Sequence, residues 1–142
     1  MTNEALYVAR FRYPSEWSAD LGGGERRWFF VAEGRVEGRI SGRLAGANHP
    51  RQRPDGTFEP DFQGVIETGD GASVLFDYRG YGRAYPPGRR QIVGSAQHWC
   101  DDERLAWLND AVCTVTGEVR AAETGSELVI VVTPVDWTPP PA

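Results

Sequence analysis

"GRVEGRISGRLAG", Gly34 to Gly46, places Val36, Ile40 and Leu44 four residues apart, the spacing of one helix face, so its reading decides between a helical and an all-β chain. Glycines at 34, 38, 42 and 46 would each cost a helix interior about 1 kcal/mol relative to alanine. Read as a strand, Gly34, Val36, Gly38, Ile40, Gly42, Leu44 and Gly46 share one face, and Arg35, Glu37, Arg39, Ser41 and Arg43 share the other. The stretch is therefore expected to be one strongly curved strand, its arginine face in water. Its glycines would let bulky neighbours or a ligand approach the backbone.

Working outward, the same period of two recurs. "EALYVARFRY" puts Tyr7, Ala9, Phe11 and Tyr13 on one face, "SADLGGGERR" reads as a loop, and "WFFVA" as a short apolar strand. Downstream, "DFQGVIETGDGASVLFDYRGYGR" is two strands around Asp70-Gly71, expected to join in a tight primed turn that needs positive φ. "AYPPGRR" is a loop, and "QIVGSAQHWC" aligns Ile92, Gly94, Ala96, His98 and Cys100. "DDERLAWLND" has the aspartate start of a short capped helix. Two last strands, "AVCTVTGEVRAA" and "ELVIVVTPVDW", meet at "ETGS". The run Leu128 to Val132 is apolar on both faces, which suggests a strand covered on its outside or placed in a homodimer interface. A single all-β domain over residues 1–142 follows: one antiparallel barrel of about eight strands with one short helix, and a frayed tail at 137–142.

Composition narrows the function. A formal net charge of -5 argues against non-specific nucleic-acid binding, which relies on cations to displace counterions. All fifteen basic residues are arginine, which excludes Schiff-base chemistry and a phosphate-loop lysine. The opening residues lack the pattern of a signal peptide and no run of eighteen apolar residues occurs, so a soluble, cytoplasmic protein without membrane partners is expected. Cys100 and Cys113 are expected to be reduced, buried thiols.

The order of elements, with "ETGDGASVLFDYRG" followed by "WLND", resembles a bacterial domain-of-unknown-function family numbered thirty-two thirty-seven, over about Gly34 to Val119. That resemblance implies a β-barrel similar to allene oxide cyclase and distantly lipocalin-like, with a central cavity, and supplies no reaction. Where many members carry a Gly-Gly-Ala-Asp-Trp type stretch, this chain has Gly46-Ala47-Asn48-His49-Pro50, which points to a different ligand.

The residues best permit general acid/base work without metal or cofactor. His49, His98, Cys100 and Cys113 lack the paired spacings of a zinc site, and no serine sits in a nucleophile elbow. His49 follows the glycine strand, where a barrel mouth keeps polar groups, and an imidazole can move a proton near neutral pH. Arg51 or Arg53 could stabilise an enolate or carboxylate. Asp61, Gln63 and Glu67 share a strand face; if it lined the lumen, Asp61 and Glu67 could act as acid or base, and if it met water they would be surface groups. His98 falls on the buried parity, where core packing competes with catalysis. In "RPDG" turn chemistry suffices, whereas Asn48, His49 and Arg51 are the expected site at the mouth, with Tyr78 and Trp107 as further contacts to substrate. The expectation is a lyase, isomerase or cyclase acting on a small hydrophobic oxygenated molecule through His49, Asp61, Glu67 and His98. The alternatives are a non-catalytic carrier of such a ligand and, if large side chains fill the barrel, a structural module.

Overall fold

In the computed structural model, residues 4–85, 89–122 and 125–142 are described. Their strands are β1 (Tyr7–Gly22), β2 (Glu25–Gly38), β3 (Gly42–Asn48), β4 (Arg51–Gln52), β5 (Phe58–Glu59), β6 (Asp61–Thr68), β7 (Ser73–Tyr85), β8 (Arg89–Trp99), β9 (Val112–Ala122) and β10 (Gly125–Pro134). Every pairing is antiparallel, and the ring β1–β2–β3–β6–β7–β8–β9–β10 closes on itself where β10 pairs with β1. Closure removes the unpaired edges that an open sheet would expose. No helix among the described residues is long and apolar enough to cross a membrane. The loop expected at "AYPPGRR" and the turn expected at "ETGS" centre on residues 86–88 and 123–124, outside the described residues.

The stretch 34–46 is a hairpin, not one curved strand. β2 ends at Gly38, β3 begins at Gly42, and Val36 lies opposite Gly42. The Ser41 hydroxyl braces the turn, accepting from the Gly38 N–H at 3.2 Å and donating to the Gly38 carbonyl at 3.3 Å. The face assignment survives the fold-back: Val36, Ile40, Gly42 and Leu44 are buried, and Arg35, Glu37, Arg39 and Arg43 are exposed.

The hairpin around Asp70-Gly71 forms as expected, with a different turn. Thr68 N–H donates to the Ala72 carbonyl at 2.9 Å and Gly71 N–H to the Thr68 carbonyl at 3.1 Å, enclosing three residues. Gly71 alone of them has positive φ, at 94°. This is a type I turn followed by a left-handed glycine bulge rather than a primed turn.

Prolines shape the open end. Pro50 and Pro60 have no N–H to give a ladder, so β3 stops at Asn48 and β6 starts at Asp61. Beyond the two prolines β4 and β5 continue the wall, β4 pairing with β2 and β5 with β7. "RPDG" is the turn between them: Gly56 has φ 86° and its N–H reaches the Arg53 carbonyl at 2.9 Å.

One half of the barrel is packed solid. Tyr7, Val36, Ile40, Leu44, Ile66, Val74, His98, Cys113, Val115, Ile130 and Val132 fill it and are at most 3% exposed. A short 3-10 helix, Glu103–Asp110, closes that end with Leu108 fully buried. The Asp102 carboxylate caps it, accepting from Arg104 N–H at 2.9 Å, and the Asn109 side chain clamps Cys100 through both backbone groups, at 2.7 and 3.0 Å. Phe62 spans the middle, stacked on Phe76 at 5.2 Å and Tyr78 at 5.1 Å and tilted against Phe11 at 5.5 Å. The cross-strand partners Gly46 and Gly64 make room for its ring: a Cβ on Gly64 would lie 2.7 Å from it and one on Gly46 3.1 Å.

Candidate functional site

Above the Phe62 layer the barrel is hollow. The cavity is about 820 Å³ and opens at the β4–β5 end. Its wall is built from inward-facing positions of five strands: Tyr13 of β1, Trp28 and Phe30 of β2, Asn48 of β3, Tyr78 of β7 and Arg90 of β8. Phe58 of β5 joins them at the rim. The rings form a ladder, Tyr13 stacking on Phe30 at 4.3 Å, Phe30 on Trp28 at 5.5 Å, and Trp28 leaning on Phe58 at 6.1 Å. The Arg90 guanidinium lies 3.7 Å over the face of Phe58.

At the deep end of the ladder, polar groups converge on the Tyr13 hydroxyl. Asn48 is 5% exposed; its carbonyl oxygen accepts from Asp61 N–H at 2.9 Å, and its amide N–H donates to Tyr13 Oη at 2.9 Å. The backbone contact fixes which way the amide points, and so which end meets the tyrosine. The Tyr78 hydroxyl is fully buried beside Tyr13, and burial holds its pKa well above the ordinary tyrosine value. Tyr13 Oη thus accepts from Asn48 and carries one proton that it can donate. Burial pushes its pKa up to about 12, against the opposing pull of Asn48, Tyr78 and the Arg90 charge. At neutral pH Tyr13 is a neutral hydrogen-bond donor. Arg90 is held below the usual arginine range by burial, with a small counter-effect from Tyr13.

Of the residues expected at the site from sequence, Asn48 and Tyr78 line the cavity and the others do not. His49 follows Asn48 on the opposite parity, is exposed, and sets its ring edge-on to Phe29 at 5.9 Å on the outer surface. Arg51 also faces outward, where its guanidinium holds Glu25 at 2.8 Å and Glu59 at 3.2 Å. Arg53 is engaged by Asp55 at 2.7 Å in the adjoining turn. Asp61 and Glu67 lie outside the barrel, facing Arg79 at 3.5 Å and Arg43 at 3.8 Å, because Phe62, Gly64 and Ile66 take the inward positions of β6. A strand buries its apolar face in a lumen packed with rings, and the acidic face is left to water. Trp107 sits at the closed end, 40% exposed, under the Arg39 guanidinium at 4.5 Å.

His98 points inward but into the packed half, fully buried, with Nε2 2.7 Å from Tyr7 Oη and no partner for Nδ1 among the described residues. Desolvation lowers its pKa to about 4, so the ring is neutral. Both cysteines are free and buried. Among the described residues no three His, Cys, Asp or Glu side chains come together as a metal set.

Tyr13, Trp28, Phe30, Phe58 and Arg90 were missed as site residues. One signal was in the sequence: continuing the inward parity of Ile92, Gly94, Ala96 and His98 back by two residues reaches Arg90, a cation in phase with a core face.

The architecture is that of a closed antiparallel barrel, filled at one end and hollow at the other. A crystal structure of a β-barrel-like protein from Acinetobacter baumannii superposes with a TM-score of 0.80 at 18% identity, covering 94% of each chain. A conserved protein of unknown function from Rhodopseudomonas palustris gives 0.75 at 20% identity, over 94% of this chain and 95% of that one. An enzyme from Penicillium herquei gives 0.70 at 20% identity over 93% of each. No curated relative matches. The chain belongs to the DUF3237 family, proteins of unknown function, whose model spans residues 5–133.

Proposed function

We propose that this protein is a cofactor-independent lyase, isomerase or cyclase that moves a proton on a small hydrophobic oxygenated molecule held in the open half of the barrel. The carrying observation is the Tyr13 hydroxyl, which accepts a hydrogen bond from Asn48 and lines a cavity walled by aromatic rings, where its proton can be given to a ligand. A substrate carbonyl oxygen there would receive that O–H bond. As a neighbouring carbon loses its proton, negative charge would move onto the oxygen, where a preorganised donor in a water-poor site is most effective. Glu16, exposed at the rim of the cavity and three residues along β1 from Tyr13, is the carboxylate on the lining assigned to take the proton and return it at a second carbon. The Penicillium herquei neighbour, described as an enzyme, supports the catalytic side of this reading.

The test is deuterium exchange in heavy water, followed by NMR, over a panel of small aromatic ketones and 1,3-dicarbonyl compounds. Protein-dependent exchange at the α-carbon is expected, with Tyr13→Phe slowing it by about 10²–10⁴-fold. Ligands that bind without any exchange would remove the enzyme reading. They would establish the second one, a carrier, which gains from His49, Asp61, Glu67 and His98 failing to converge on the cavity.

We also propose that two chains pair. The outer face of β10 is not the reason: Val129 is 7% exposed and Val131 half-buried within one chain. The exposed cross-strand pair Leu75 and Trp99, 56% and 43% exposed, is the apolar surface that pairing would cover.

A further inference from the structure

We propose that the cavity takes a small monocarboxylate with a flat apolar body, its carboxylate held by the Arg90 guanidinium at the rim and its body lying along the rings of Phe30, Trp28 and Phe58. The inference rests on the cavity being a ligand site, as in the function proposed above, and adds the charge of the ligand.

Two arginines are on the cavity lining, Arg12 and Arg90. Arg12 has the Glu33 carboxylate at 2.9 Å, whereas among the described residues no carboxylate pairs with Arg90. It is half-buried, faces the cavity, and rests on Phe58, so its planar fork is already oriented. Holding a cation where water is displaced costs free energy unless an anion answers it, and a carboxylate can do so through two parallel hydrogen bonds.

The surroundings are rich in donors and poor in acceptors. Arg26 Nε, Trp28 Nε1 and Arg90 Nε are buried and without a hydrogen-bond partner, and all three carry N–H groups. Trp28 and Arg90 are on the cavity lining, and Arg26, beyond the lining, lies 5.1 Å over Trp28. Both ends of the Asn48 amide are already used, and Arg12, also on the lining, is held by Glu33 at 2.9 Å. On the cavity lining itself Arg90 is the one arginine without a carboxylate among the described residues, and with Glu16 on the exposed rim it matches a singly charged acid better than a phosphate dianion.

Calorimetric titration at pH 7 with 1-naphthoate and with uncharged 1-naphthalenemethanol separates charge from shape. At least tenfold tighter binding of naphthoate is expected, with Arg90→Leu removing the preference while the alcohol still binds. Arg90→Lys, which keeps the charge and loses the planar fork, is expected to retain a preference several-fold smaller. Equal affinities for the two compounds, or a preference unchanged in either variant, would overturn the anion site and leave the cavity reading intact. Failure of both compounds to bind would overturn the two together.

Discussion

Tyr13 and His98 are both inward-facing polar groups, and their surroundings assign them different work. The Tyr13 hydroxyl borders open space and takes the Asn48 amide as a donor, whereas the His98 ring is packed between Tyr7 and Phe76 with one hydrogen bond. A consequence for His98 is measurable. The folded state keeps the imidazole neutral down to about pH 4, while the unfolded chain protonates it near the ordinary 6.5. Below 6.5 the unfolded state therefore binds more protons. This contribution to stability is complete above about pH 6.5, is lost progressively as pH falls towards 4, and levels off beneath that. Its full size is about 3 kcal/mol. Denaturant titrations between pH 4 and 7 are expected to show that slope, and His98→Leu to flatten it. An unchanged slope in the variant would remove the assignment.

Among the elements, the β3–β6 pair shows how glycine serves the site. Gly46 and Gly64 face each other across the ladder, and the Phe62 ring occupies the space their missing Cβ atoms leave. That ring separates the packed half from the cavity, so the two glycines set the height of the floor. Gly64→Ala is expected to force Phe62 or Phe76 to shift and to cost about 1–3 kcal/mol, read by chemical denaturation. A variant as stable as the parent would show that the layer is loosely packed. Gly34–Gly46 also shows what alternation leaves open. The faces of Val36, Ile40, Leu44 and the arginines were legible because side chains alternate whether or not the chain turns, but the turn at 39–41 was not, and Gly38, expected inside, is exposed at its edge. Val36, Ile40 and Leu44 keep their parity through the fold-back, so no break in the pattern marked it.

Across the whole molecule, the packed end and the hollow end follow from where the rings and glycines fall around the closed sheet. The outer surface carries exposed apolar cross-strand pairs, Trp17–Phe29 on β1 and β2 and Leu75–Trp99 and Tyr81–Val93 on β7 and β8, of which Leu75–Trp99 is the one assigned to pairing. Sedimentation equilibrium is expected to give twice the chain mass of 15.7 kDa, and Trp99→Asp to return it to one chain. A wild-type mass of one chain would remove the pairing.

Sequence by itself determined the class and much of the fold: all-β, antiparallel, with Tyr7 to Tyr13, Ile92 to Cys100 and the 34–46 aliphatics pointing inward. These are local consequences of period-two alternation and of the poor helix propensity of glycine. It also singled out Asn48 and Tyr78, which line the cavity. Tertiary structure alone decided the rest. Tyr13 and Asn48 are 35 residues apart and meet because β1 and β3 flank the same strand. Arg90 reaches Phe58 because β5 and β8 both flank β7. Which carboxylates would be useful was also settled by closure. A ring of eight strands has one inside, the aromatic faces fill it, and Asp61, Glu67 and His49 are left outside, the two carboxylates facing Arg79 and Arg43.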